Sequence, residues 1–121
     1  MIIGAKGRAG ISEGWLLQGR DGNGRAVRLP FRENELAEAD FGLTVGRHPG
    51  ICHRVIDDPS VSRRHLRLTL RNGKLCIEDL NSLNGSVLDG RLLEPFEPAE
   101  GSEGQDLILG AVALRIEELA D

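Results

Sequence analysis

The chain has no tyrosine, and its 121 residues include only one tryptophan and three phenylalanines. So few aromatics argue against the stacking surfaces that proteins use to hold single-stranded nucleic acid. They also mean that any core must be built mainly from Leu, Val and Ile. Cysteine is scarce as well: Cys52 and Cys76 are too few for a disulfide framework. No paired Cys-x-x-Cys spacing supports a metal site around His48, Cys52 and His53, so neither a metal nor another cofactor is expected. No apolar run approaches the roughly 20 residues that cross a bilayer. Met1-Ile2-Ile3-Gly4 has no signal-peptide layout, and the expectation is a cytoplasmic protein without membrane insertion. Internal repeats, low-complexity tracts and Pro-rich linkers are absent.

What remains is the composition of one folded domain, with 28% charged and 40% hydrophobic residues. The net charge of −4 is unevenly spread: residues 47–74 carry a local +5, and residues 75–121 a local −9. A positive block inside an acidic chain points to a local anion site rather than a general polyanion surface. Some of its arginines, such as Arg71, need only face water.

The patterning is that of short strands. Residues 1–13 are Gly-rich and weakly patterned, a loose leader ahead of a domain spanning 14–121. Trp15 to Gln18 is a short apolar run, and Asp21-Gly22-Asn23-Gly24 is a turn. Val27, Leu29 and Phe31 alternate with polar neighbours, and Pro30 marks an edge or a strand end. Residues 32–40 favour helix by propensity, but their sparse apolar periodicity predicts a polar loop with about one helical turn. Phe41, Leu43 and Val45 alternate into Gly46-Arg47, and Val55-Ile56 is a short strand. The clearest hairpin follows: Leu66, Leu68 and Leu70 face one way, Asn72-Gly73 turns the chain, and Lys74 to Leu80 returns. A two-residue turn pairs Leu70 with Leu75, Leu68 with Ile77 and Arg67 with Glu78. Ser86 to Leu88, Arg91 to Leu93, and the Leu107/Leu109 and Val112/Leu114/Ile116 alternations complete the set. Residues 94–105 read as a loop. The fold class is therefore all-β, a sandwich of short strands.

Three polar clusters fall at strand ends: Gly46-Arg47, Ser62-Arg63-Arg64-His65 and Asn81-Ser82-Leu83-Asn84-Gly85. Arginine offers a planar fork of donors that fits phosphate oxygens. Gly46 lets the backbone turn or approach closely. The Ser62 hydroxyl and the neighbouring backbone N–H suit a phosphate oxygen, and Arg63 adds a charged donor. His65 suits a loop-tying role, which would preorganise those donors. Asn84-Gly85 is a turn that can also present an amide to a peptide. On paper Ser62, His65 and Asp79 form a triad, but there is no Gly-x-Ser-x-Gly sequence, and an enzyme is not expected.

The strings Leu43-Thr44-Val45-Gly46-Arg47, Asp57-Asp58-Pro59-Ser60-Val61-Ser62-Arg63-Arg64-His65 and Glu78-Asp79-Leu80-Asn81-Ser82-Leu83-Asn84-Gly85-Ser86, with Asp106-Leu107-Ile108-Leu109-Gly110, resemble the forkhead-associated (FHA) domain. The resemblance spans about residues 14–119. It implies a sandwich of about eleven mostly antiparallel strands whose loops at one end bind phosphothreonine peptides. By position, Arg47 would contact the phosphate, Ser62 would bond it beside Arg63, and Asn84 would hold the peptide backbone. Gly46, His65 and Gly85 would shape the loops. The place before the motif asparagine, often Thr or Ser in the family, is Leu83, which removes a donor. Ser82 lies one residue earlier, and Ser60 falls where some relatives carry a specificity residue. The expected function is a phosphothreonine-dependent signalling adaptor downstream of a Ser/Thr kinase. The alternative is a phosphate-independent interaction module on the same fold. Two or three charge-assisted hydrogen bonds of roughly 1.5–3 kcal/mol each, less the ordering of a flexible peptide, give affinity on the order of micromolar.

Overall fold

In a computed structural model, residues 13–119 are described. The leader expected over 1–13 lies outside them except for Glu13. Eleven strands and one short helix follow the chain: β1 (Gly14–Arg20), β2 (Ala26–Arg32), α1 (Glu33–Glu38), β3 (Leu43–Gly46), β4 (Arg54–Val55), β5 (Leu66–Arg71), β6 (Lys74–Asp79), β7 (Ser86–Leu88), β8 (Arg91–Leu92), β9 (Ala99–Gly101), β10 (Asp106–Leu109) and β11 (Val112–Leu119). They form a six-stranded sheet in the order β2-β1-β11-β10-β7-β8 and a five-stranded sheet in the order β4-β3-β5-β6-β9. Apart from the short parallel pair β3–β4, the paired strands are antiparallel. This is the predicted all-β sandwich.

Alternation builds the core. Leu17, Leu66, Leu68, Leu75, Ile77, Leu107, Leu109 and Ile116 all turn inward and are fully covered. Phe31 is the only phenylalanine buried with them, so aliphatic side chains do carry the core. The β5–β6 hairpin has the predicted register, Leu70 opposite Leu75, Leu68 opposite Ile77 and Arg67 opposite Glu78. Asn72 and Gly73 at its turn both take positive φ, 52° and 76°, as a two-residue hairpin requires.

Three local expectations give way. Phe41 does not join β3: the chain is still turning at 40–42, so its ring is 84% exposed and the strand begins at Leu43. The polar segment after β2 forms a six-residue helix, longer than the single turn expected within a loop, because Leu36 is buried and ties α1 to the core. Glu33 and Glu35 lie in its first turn, where the helix dipole favours acids. Within 94–105, Ala99–Gly101 pairs with β6; three residues are too few to show periodicity in the sequence. A smaller shift moves the strand expected at Val55-Ile56 to Arg54–Val55.

Removing a fully covered aliphatic side chain costs both transfer energy and a cavity. Leu68→Ala should lower the unfolding free energy by about 2–5 kcal/mol in urea titrations, with Arg71→Ala, on the exposed end of the same strand, within about 0.5 kcal/mol of wild type. Equal stabilities of the two variants would contradict this core assignment.

Candidate functional site

The loops after β3, before β5 and after β6 meet at one end of the sandwich. A cavity of about 340 Å³ opens between them, lined by Arg47, Pro59, Ser60, Val61, Ser62, Arg63, Arg64, Leu83 and Asn84. Arg47, Ser62, Arg63 and Asn84, named from sequence for a phosphopeptide, are thus brought to one rim. Gly46, His65 and Gly85 lie beneath or beside it. Ser60 and Leu83 also line it, but Ser82 does not.

Close packing of backbone sets the positions. A Cβ on Gly46 would lie 2.1 Å from the Arg63 carbonyl oxygen, so only glycine lets the Ser62–Arg64 segment lie across the end of β3. The Arg47 N–H donates to the Ser62 carbonyl at 2.9 Å, and the Cys52 thiol donates to the Arg63 carbonyl at 2.9 Å. Burial raises the Cys52 pKa, which keeps the thiol protonated as a donor. Both cysteines are free.

His65 is fully buried and ties two loops together. The Ser62 N–H donates to its Nδ1 at 3.0 Å, and its Nε2 is 3.0 Å from the Gly85 carbonyl. A backbone N–H can only donate and a carbonyl can only accept, so the ring is neutral with its proton on Nε2. Burial pulls its pKa below the usual histidine value, against weaker opposing pulls from Gly85 and Asp79. The Ser62 N–H is therefore spent on His65 and is not offered to a ligand. Both imidazole nitrogens are likewise committed to main-chain groups, which leaves none to activate Ser62.

Two buried carboxylates anchor the same loops. Asp79 accepts from the Ser82 N–H at 2.9 Å and from the hydroxyls of Ser82 and Ser86. Burial pushes its pKa up, but those hydrogen bonds outweigh burial and hold it below the ordinary carboxylate value. The Ser82 oxygen also receives the Gly85 N–H, so Ser82 braces the turn from inside. Asp58 accepts from the Ser60 hydroxyl at 2.6 Å, the Ser60 N–H at 2.9 Å and the Gly22 N–H at 2.7 Å. These bonds, the Ser60 hydroxyl foremost, lower its pKa. The Ser60 hydroxyl then receives the Ala111 N–H, and its carbonyl receives Asn84 Nδ2 at 2.9 Å.

The groups left over face the cavity. Arg47 spends Nε on the Val61 carbonyl, and its two terminal nitrogens have no partner among the described residues. The Ser62 oxygen accepts from the Leu83 N–H at 2.9 Å, which leaves the hydroxyl proton free to donate. Asn84, oriented by its bond to Ser60, keeps Oδ1 as an acceptor. Among the described residues, neither the main-chain N–H nor the guanidinium of Arg63 or Arg64 makes a hydrogen bond. Arg64 was not singled out from sequence, although the Arg63-Arg64 pair signalled it. Among the described residues, no acidic side chain lines this cavity. Of the four other cations in the basic block, Arg54 pairs with Glu35, Arg67 with Glu78 and Lys74 with Glu100, and Arg71 is exposed. A larger cavity of about 490 Å³ holds the Arg54–Glu35 pair and none of the predicted site residues.

Because the folded pKa of His65 is lowered, the unfolded chain binds more protons between the two values. Stability is therefore full above the unfolded value near 6.5 and falls as pH drops below it; Asp58 and Asp79 act in the same direction at more acidic pH. Urea unfolding should show lower stability at about pH 5 than at about pH 7.5, with that part of the difference absent in His65→Gln. No difference in the wild-type protein would contradict the neutral ring.

Known proteins share this fold. The FHA domain family matches residues 43–110. The FHA domain-containing protein PS1 of Arabidopsis thaliana is 33% identical over 95 residues, covering 73% of this chain. The chain spans only 6% of that relative's length. The crystal structure of the FHA domain of CT664 from Chlamydia trachomatis superposes with a TM-score of 0.67 at 28% identity, covering 88% of this chain and 99% of that one. A second solved structure, from a structural and functional analysis of phosphothreonine-dependent FHA domain interactions, is 25% identical with a TM-score of 0.62, covering 89% of this chain and 99% of that one. The chain belongs to the forkhead-associated domain family.

Proposed function

We propose that this domain binds phosphothreonine on a partner protein, as an adaptor downstream of a Ser/Thr kinase, and performs no chemistry itself. The observation that carries this reading is the cavity lined by Arg47, Ser62, Arg63, Arg64 and Asn84 with, among the described residues, no acidic side chain in its wall. A phosphate monoester brings about −1.5 to −2 charge and three acceptor oxygens. The terminal nitrogens of Arg47, the Ser62 hydroxyl, and the N–H and guanidinium groups of Arg63 and Arg64 supply the matching donors. Asn84 Oδ1 accepts a main-chain N–H of the bound peptide, which fixes the phosphothreonine in register. The related structure from work on phosphothreonine-dependent interactions supports the same ligand.

The phosphothreonine comes from outside these 121 residues. The chain has two threonines. Thr44 is buried, and Thr69 lies within β5. No described helix is long and apolar enough to cross a membrane, and the proposed setting is the cytoplasm. One observation favours the alternative, a phosphate-independent contact: Leu83, beside Asn84, is 90% exposed. The two readings separate on a single comparison of matched peptides with and without phosphate.

Arg47→Ala removes charge-assisted donors worth about 3 kcal/mol together, so it should weaken phosphothreonine-peptide binding by about 100-fold. Isothermal titration of wild type and variant checks this. Equal affinity of wild type for phosphorylated and unphosphorylated peptide would overturn the reading.

A further inference from the structure

The outer face of the six-stranded sheet carries an apolar row in cross-strand register. Ala113 on β11 lies opposite Ile108 on β10, Ile108 opposite Val87 on β7, and Val87 opposite Leu92 on β8. Their neighbours along each strand, Val112, Leu107, Leu109, Ser86 and Leu88, are buried, so this row points to solvent on the opposite face. Leu92 is 64% exposed and Ile108 is 38% exposed. A solvent face of an antiparallel sheet normally alternates to polar residues. Single exposed apolar residues are ordinary, whereas four in contiguous register make a surface that suits a partner.

Its position identifies the occupant. The row is the last solvent-facing one before the loops that frame the phosphate cavity. Two residues beyond Ile108 is Gly110, packed against Ser60, and two residues before Val87 is Gly85. A Cβ on Gly85 would lie 3.1 Å from Leu92 Cδ1. The row therefore adjoins the turn carrying Asn84 and the exposed Leu83. With strands about 4.8 Å apart, it is about 15 Å long, the span of about five extended residues.

We propose that this row is a second contact surface for the same phosphorylated partner, receiving apolar side chains about four or more residues from its phosphothreonine. This rests on the phosphothreonine reading and extends it: the phosphate anchors the partner in the cavity, and the row selects among phosphorylated partners by their apolar flank.

The test is a phosphothreonine peptide library, degenerate over about seven residues on each side, applied to wild type, Ile108→Glu, Leu92→Glu and Arg47→Ala. Wild type should enrich Leu, Ile, Val or Phe at a flanking position about four or more residues away. Both glutamate variants should lose that enrichment while still requiring phosphate, and a peptide chosen by wild type should bind each about tenfold more weakly. Ile108→Ser, which adds no charge, should act in the same direction if glutamate disturbs the fold. Absence of flanking apolar enrichment, or enrichment unchanged in the variants, overturns the proposal. So does a peptide-free dimer, seen by sedimentation, that Ile108→Glu dissolves, since the row would then belong to a second copy. Library binding that survives Arg47→Ala or needs no phosphate signals failure of the phosphothreonine reading instead.

Discussion

The binding end of this molecule depends on one buried, neutral imidazole. His65 receives the Ser62 N–H and reaches the Gly85 carbonyl, and so joins the loop that supplies Ser62, Arg63 and Arg64 to the turn that supplies Asn84. The Ser62 bond is lost if the ring takes up a proton at Nδ1, because two donors would then face each other, while Nε2–H still donates to the Gly85 carbonyl. Burial disfavours that proton. The sandwich provides the dry surroundings, and the histidine converts them into a fixed spacing between loops.

Asp79 and Asp58 repeat this logic on either side. Each is a buried acceptor filled by serine hydroxyls and loop amides. Together with Gly46, which lets two backbones touch, they use up the inward-facing polar groups of the loops. The donors left on Arg47, Ser62, Arg63 and Arg64 line one cavity. A site assembled in this way would meet a phosphate with little reorganisation, so that more of the interaction energy would appear as affinity. The serines divide accordingly: Ser60, Ser82 and Ser86 brace the loops, and Ser62 keeps a proton to give.

The hairpin register and the convergence of Arg47, Ser62, Arg63 and Asn84 were legible because each rests on local signals. Alternation fixed the strand faces, Asn72-Gly73 fixed one turn, and the polar clusters fell at strand ends. What was not legible depends on contacts distant in sequence. Leu36 turns a polar segment into helix only because β5 lies against it. Phe41 obeys the alternation of β3 yet sits on the preceding turn. The N–H of Ser62 is lost to a ring three residues later, and Ser82 turns inward to Asp79; neither orientation is encoded in spacing. The apolar row across four strands was invisible for the same reason, since its members come from four separate segments that only the sheet aligns.

The most direct measurement is an NMR titration of the ¹⁵N-labelled domain with a phosphothreonine peptide and its unphosphorylated twin. The phosphorylated peptide alone should shift the amides of Arg63 and Arg64, the side-chain amide of Asn84 and Arg47 Nε–H, while the His65 ring keeps its proton on Nε2. Equal shifts from both peptides, or shifts centred on the cavity around Arg54 and Glu35, would contradict this.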